Sequence, residues 1–491
     1  MSARTWALCC GVLVGCGPVE VGKLTLVLQQ GSVDPFADPG DGQNSSRPVA
    51  ALRFSWDSAL VRWPGDAGVI TTPLGAGDTL KVELPAPSAP ARLTIAGLLT
   101  ATDEVWSLGR STLINPPSGS TPTTVSVLLG PADGWTSLSA SLPGERRFTR
   151  VAPLGALGAL IVGGGDALPD GGLRASEPGL LRFDVATSTL TPLTGAATLG
   201  AIAVPLGSGR VLHGLGQLAD GGLSSKLFLT DAAGDSREVM RSGASLEARV
   251  DASALLLRDG TVLILGGRAE SGPLPSVVRL TVDEASAQAT ANAFPPLSIG
   301  RARAAVAQLS TGEVLIAGGL GANGVALDDG QWMDLAVATP AWHAAANRMT
   351  DPRVGASAVR LEDDSVLLWG GGPDSGDVFS LTATDDGGFL KLAIGVTGLH
   401  QATAARVGRS VLFVGGETGA EAPFAARFVP AVQTPALGQQ YGGTWSRVKA
   451  TGRTRHGTGL VVLETSAVLS IGGAAQDVEL FTPSAEFLEG Q

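Results

Sequence analysis

The chain has 491 residues, 68 of them glycine, with 16% charged residues and a net charge of −11. That charge excludes an electrostatic grip on nucleic-acid phosphates, so no nucleic acid is expected among the partners. No apolar run reaches the roughly 18 residues of a spanning helix, and short apolar runs bounded by Gly, Pro and Asp predict an all-β chain.

Residues 1–16 read as a leader. Arg4 supplies a positive start, residues 6–14 an apolar core, and small Gly15 precedes Cys16. Residues 13–16, Leu-Val-Gly-Cys, resemble a bacterial lipoprotein box. The resemblance implies cleavage before Cys16 and acylation of that cysteine, which would anchor the chain to a membrane by acyl chains. Cys9 and Cys10 would leave with the leader, so no intrachain disulfide is expected. Gly17, not Asp, follows Cys16, and the resemblance then implies the outer membrane of a cell envelope. Residues 17–24 nearly match a phosphate-binding loop. Leu24 stands where Ser or Thr should hold magnesium, and strand-like alternation follows, so a strand is expected.

Residues 17–131 predict a small antiparallel β-sandwich. Strands are expected at 23–28, 50–56, 79–84, 91–98, 104–107 and 123–129, with Gly/Pro/Ser/Asp separators that include 34–46, 64–68 and 115–121. The pattern resembles immunoglobulin-like or transthyretin-like modules of secreted bacterial proteins. Asp34, Asp38 and Asp41 share one loop, but their spacing is not that of an EF-hand and no closing Glu follows. A solvated loop is the expectation, with calcium left to a titration.

Residues 132–491 are built from a repeat. Copies begin at Arg146, Thr198, Arg249, Arg301, Arg353, Gly398 and Arg455 and each runs 19 residues. Most open on Arg, continue through small apolar residues to a polar turn such as Asp259-Gly260, and end with an apolar run and Gly-Gly. A period near 50 gives four short strands, one propeller blade, per copy. Third strands are expected at 180–185, 276–282, 377–381 and 478–481. Fourth strands carrying an aromatic are expected around Trp332 and Trp445, with both rings between blades. The last copy lacks a fourth strand, and residues 134–138 look like an orphaned one. Pairing the two would close a ring of seven and remove a sheet edge. The fourth position of the repeat is small in six copies (Thr149, Ala201, Ala252, Ala304, Ala356, Thr458) and Gln401 in the other, as an innermost strand converging on an axis requires.

This pattern resembles kelch repeats of the galactose-oxidase-like type, departing at Leu215, Thr198 and Gly398. The resemblance implies a seven-bladed β-propeller. It does not carry the family's copper site, which needs two tyrosines, one cross-linked to cysteine, and two histidines. Tyr441 is the single tyrosine, no cysteine follows Cys16, and His213, His343, His400 and His456 are not at ligand spacing. His213 is expected to pack and His456 to serve a turn. No metal and no cofactor are expected. Gly319–Gly324 matches G-x-G-x-x-G without a following helix, and no nucleophile elbow or zinc-helix motif occurs.

A cell-envelope binding or scaffold protein is therefore favoured over an enzyme, engaging a protein or glycan through propeller loops. The alternative is an extracytoplasmic carbohydrate-active or isomerase-type enzyme using scattered carboxylates. The opening residues Arg146, Arg249, Arg301, Arg353 and Arg455 carry two expectations. They circle one channel mouth as an anion-binding ring, or each serves its own blade by bonding carbonyls.

Overall fold

The computed structural model describes residues 21–30, 49–58, 66–70, 79–85, 89–99, 105–115, 123–399 except 157 and 169–171, 402–415, 425–448 and 457–489. Cys16, the loop aspartates Asp34, Asp38 and Asp41, His400, Gln401, Arg455 and His456 lie outside the described residues. Among the described residues, no helix is long and apolar enough to cross a membrane.

Among the described residues, the first unit is one connected seven-stranded sheet with a parallel pair in it, not a purely antiparallel sandwich. Val21–Gln30 pairs antiparallel with Thr79–Pro85 but parallel with Thr123–Pro131. Thr123–Pro131 links the halves, since its last residues, Gly130 and Pro131, pair with Leu108 and Ser107. Alternation tells which face a side chain takes, not which way the neighbouring strand runs, so the parallel pair left no mark in the sequence. Asp66–Ile70 is a further strand where a separator was expected. It lies at the sheet edge beside Val49–Ser58, with an irregular register between Phe54 and Ser55. An edge tolerates the Gly that would weaken a central strand. Phe54, Leu93, Ile95, Val127 and Leu129 form buried positions of this unit.

The chain passes to the second unit in a short turn. Asp133 N donates to Thr482 O at 2.8 Å, and Ser484 N and Oγ donate back to the Asp133 carboxylate at 2.7 and 2.8 Å. Glu464 accepts from Arg92 Nη2 at 3.3 Å and Leu113 N at 3.2 Å, tying the two units at a second point.

Among the described residues, the second unit is a β-propeller with seven sheets of four or five strands, beside three two-stranded ones. The innermost strands are Arg150–Pro153, Ile202–Pro205, Ser253–Leu256, Ala305–Gln308, Ser357–Arg360, Thr403–Val407 and Gly459–Val462. Each neighbours the next, and the last returns to the first. The second strands, such as Val262–Leu265, Val314–Ala317 and Val366–Trp369, are buried at every position. Sheets cover both of their faces, which is why these runs read as continuous rather than alternating apolar. The third sheet gains a fifth strand, Met240–Gly243, parallel to Gln288–Phe294.

Trp332 departs from expectation. It stands in the third strand, Gly330–Met333, because the fourth strand of its sheet is the short His343–Ala344. Its ring still meets the next sheet, packing with the cluster of Phe379 and Phe389, and Nε1 donates to Asp386 O at 2.7 Å. Trp445 does lie in a fourth strand, Gly443–Val448, against Phe428, Phe413 and, from the preceding sheet, Trp369. The final sheet takes three strands from the end of the chain, and its fourth is Gly134–Ser141. Trp135 pairs with Phe481, their rings 5.2 Å apart.

Candidate functional site at the channel mouth

The four described opening arginines are buried in their own blades rather than presented at the mouth. Arg146, Arg249, Arg301 and Arg353 are each 1% exposed. Each folds back under its own sheet and donates from Nη1 to the carbonyl of the first closing glycine: Gly163 at 2.9 Å, Gly266 at 2.8 Å, Gly318 at 3.0 Å and Gly370 at 3.2 Å. The second partner varies. Arg146 donates to Pro178 O and Arg249 to Ser276 Oγ, while Arg301 meets Asp329 at 2.8 Å and Arg353 meets Asp377 at 2.9 Å. Burial lowers the pKa of Arg146 and Arg249, against the opposing pull of nearby carboxylates. A group that leaves water must be satisfied inside, and these guanidiniums are committed to the blades. Arg455, the fifth member, lies outside the described residues.

The opening residue also stitches blade to blade. Its carbonyl accepts from the second closing glycine of the preceding sheet: Gly164 to Thr198, Gly216 to Arg249, Gly267 to Arg301, Gly319 to Arg353. Gly473 to Arg146 joins the last sheet to the first. The first glycine of the pair presses on the same oxygen. A Cβ at Gly163, Gly266 or Gly318 would sit 2.3, 2.2 or 2.6 Å from it. The Gly-Gly signature is thus the seam between blades.

Two residues further on, the repeat turns toward the axis. Its third position has positive φ in every described copy: Phe148 (57°), Gly200 (60°), Asp251 (58°), Arg303 (53°), Gly355 (77°) and Gly457 (70°). Hydrogen bonds run around this ring. Phe148 N donates to Gly457 O, Asp251 N to Gly200 O, Arg303 N to Asp251 O and Gly355 N to Arg303 O, each at 2.8 or 2.9 Å. Glycine takes this left-handed backbone without penalty, and aspartate tolerates it. For Phe148 and Arg303 it costs roughly 1–2 kcal/mol each. Strain retained at non-glycine positions where glycine serves elsewhere marks these side chains as a candidate site.

All three side chains line a central channel of about 810 Å³. Arg303, from the fourth sheet, reaches Phe148 of the first, its Cζ 5.1 Å from the ring centroid. These sheets lie on opposite sides of the ring, so the pair bars the mouth. Arg150 lies deeper in the same channel, two residues along the innermost strand from Phe148. Other copies place Ile202, Ser253, Ala305, Ser357, Ala402 or Gly459 at that position. Arg150 keeps exposed surface facing the channel, yet protein surrounds it. Burial lowers its pKa most, Asp251 opposes that shift, and Arg303 adds to it by repulsion. Among the described residues, neither Arg150 nor Arg303 has a carboxylate within ion-pair distance. Arg268 is exposed on the rim, and Arg147 pairs with Glu145 at 3.2 Å. An acidic chain therefore gathers a local positive field at its axis.

Hydroxyls complete the wall. Ser253 Oγ donates to Ala304 O at 2.7 Å and Thr403 Oγ1 to Thr458 O at 3.1 Å, which leaves their lone pairs as acceptors. Ser357 Oγ accepts from Ala404 N at 3.1 Å and keeps its proton to give. The cleft between the two units, lined by Leu108, Leu128, Leu463 and Leu480, holds only about 30 Å³, room for a single water.

The described histidines and the tyrosine stay apart. His213 is buried in the second sheet, stacked on Phe228 and bonded through Nε2 to Thr230 Oγ1 at 2.8 Å. His343 is exposed on Trp332 in the fourth. Tyr441 is buried beside the fifth and sixth, its hydroxyl 2.7 Å from Asp363. Burial and that carboxylate push the Tyr441 hydroxyl up. Three donors in separate sheets do not fit a copper centre.

Phe148, Arg150, Asp251 and Arg303 were not singled out from the sequence. A signal was present: Phe148, Asp251 and Arg303 stand where Gly200, Gly355 and Gly457 stand in other copies, and Arg150 stands where five copies carry Ser, Ala or Gly.

No protein-family model matches the chain, and no curated protein matches it in sequence. Among solved structures it is similar in fold to a fungal alcohol oxidase with catalytic diversity among the AA5 family, in complex with copper. The TM-score is 0.52 at 15% identity, covering 70% of this chain and 75% of that one. At that identity the likeness shows the propeller fold alone.

Proposed function

We propose that this chain is a binding protein of the cell envelope that takes an anionic ligand, bearing a carboxylate or phosphate, at the mouth of its propeller channel. The observation that carries the reading is the pair Arg150 and Arg303, two guanidiniums without an ion-pair partner among the described residues, held in one narrow channel. Arginine presents a fork of donors suited to such groups, and the low-dielectric wall strengthens the attraction. In this reading the repeats are of the kelch type and acylated Cys16 anchors the chain. The enzyme alternative has no gathered donor set among the described residues to support it.

The test uses substitutions the fold already contains. Arg150→Ser copies Ser253 and Ser357 at the same repeat position, and Arg303→Gly copies Gly200 and Gly355. Both are made in a Cys16→Ala background, which should move the protein from the membrane fraction to the soluble one. Calorimetry at low salt should detect acetate and inorganic phosphate binding to the parent. The double variant should lose it with a melting temperature no lower than the parent's, since glycine relieves the left-handed strain at position 303. Equal binding by parent and double variant would overturn the reading, and a Cys16→Ala protein still in salt-washed membranes would overturn the anchor.

A further inference from the structure

Resting on that anion-binding reading, we infer that the occupant is a free amino acid, whose carboxylate goes to Arg150 and Arg303 and whose ammonium goes to Asp251. The ground is a set of opposite charges that the ring holds apart. Asp251 and Arg303 occupy the same repeat position on neighbouring sheets, and Arg303 N donates to Asp251 O at 2.8 Å. Their side chains nevertheless turn opposite ways. Asp251 Oδ1 leans on the preceding sheet, 2.4 Å from where a Cβ on Gly200 would stand. The Arg303 guanidinium leans on the following sheet, its Nη2 3.3 Å from the same point on Gly355, and lies over Phe148. Arg150 stands in the same channel and feels both charges. Among the described residues, none of the three has an ion pair or a side-chain hydrogen bond.

Two cations and one anion, side by side in a channel and unpaired with one another, match a ligand that carries both signs. A carboxylate is planar and suits the donor forks of the two arginines. Arg303 keeps its place on Phe148 throughout, because a guanidinium lying over a ring still has N–H groups along its edge to give. An ammonium has donors and no acceptor, and Asp251 has acceptors and no donor. A bare anion gains from the arginines but meets Asp251 as a like charge. The wall beside these groups is made of small residues, Ala304 and Ala356, with the hydroxyls of Ser253 and Ser357, which leaves space for a short side chain. The channel volume lies within the range of small-molecule sites.

The experiment compares alanine, N-acetylalanine, acetate and inorganic phosphate by calorimetry at low salt on the soluble Cys16→Ala protein and on its Asp251→Gly derivative. Glycine is what Gly200, Gly355 and Gly457 already provide at this left-handed position, so the substitution relieves backbone strain and removes no side-chain bond. Alanine should bind about tenfold more tightly than acetate or N-acetylalanine, whose charge is negative only. Asp251→Gly should lose about that factor for alanine and should tighten acetate, because the same carboxylate attracts the ammonium and repels the anion. Acetate, N-acetylalanine or phosphate binding as tightly as alanine would overturn the amino-acid inference while leaving the anion reading intact. So would an Asp251→Gly protein that keeps the parent's affinity for alanine, or one that weakens acetate and alanine alike. Binding of none of the four would overturn both.

Discussion

His213 shows what one departure from the repeat costs. Five other copies carry Ile161, Ile264, Ile316, Leu368 or Phe413 at the same position, on strands buried on both faces. The imidazole is 5% exposed, and burial lowers its pKa to about 4. The folded protein therefore binds a proton less readily than the unfolded chain. Stability is unaffected above the ordinary histidine pKa and falls as pH drops from about 6.5 to 4, by roughly 3 kcal/mol in all. Melting temperature should decline across that window, and His213→Phe, which copies Phe413, should flatten the decline. An equal slope in the variant would assign the acid sensitivity to other groups. The same contrast governs the channel. Recurrent residues such as Arg146 and Arg353 were legible in the sequence, but their recurrence records what every blade needs. Arg150 and Arg303 occur once at their positions, and direction into a shared channel is a property of the closed ring that no single copy displays.

Among the elements, the fifth blade carries the most enclosed ion pair of the described residues. Arg353 and Asp377 are both 1% exposed, with Ser375 and Thr350 adding hydrogen bonds. The first and third blades hold the equivalent arginine with carbonyls and a hydroxyl instead. Arg353→Ala leaves Asp377 buried without its cation and should destabilise the protein by about 3–5 kcal/mol in urea denaturation. A loss below about 1 kcal/mol would mean that the Thr350 and Ser375 bonds suffice. Blade strands were legible because their apolar runs end at Gly-Gly, a seam with one physical reading. The strands before Gly134 were legible as strands only. The parallel pairing of Val21–Gln30 with Thr123–Pro131 depends on contacts across about 100 residues that alternation does not encode.

At the scale of the whole molecule, the ring depends on one strand supplied from far away. Ending the chain after Leu463 removes Val468–Ile471 and Asp477–Thr482, and strands Gly134–Ser141 and Gly459–Val462 are left without a partner. That protein should aggregate or melt without cooperativity, and a soluble truncation with the parent's sharp transition would contradict closure through this sheet. The orphaned strand at 134–138 and the incomplete last copy made this closure legible in advance. It also sets an order in time. Ser137 and its partner Glu479 are 342 residues apart in sequence. At roughly 5–20 residues per second, a ribosome needs on the order of 20–70 seconds between making the two. Through that interval Trp135 has no Phe481 to pack on, and its strand presents an unmatched edge. A nascent chain therefore carries that open edge until Asp477–Thr482 has emerged, and whatever escorts this protein must shield it until then.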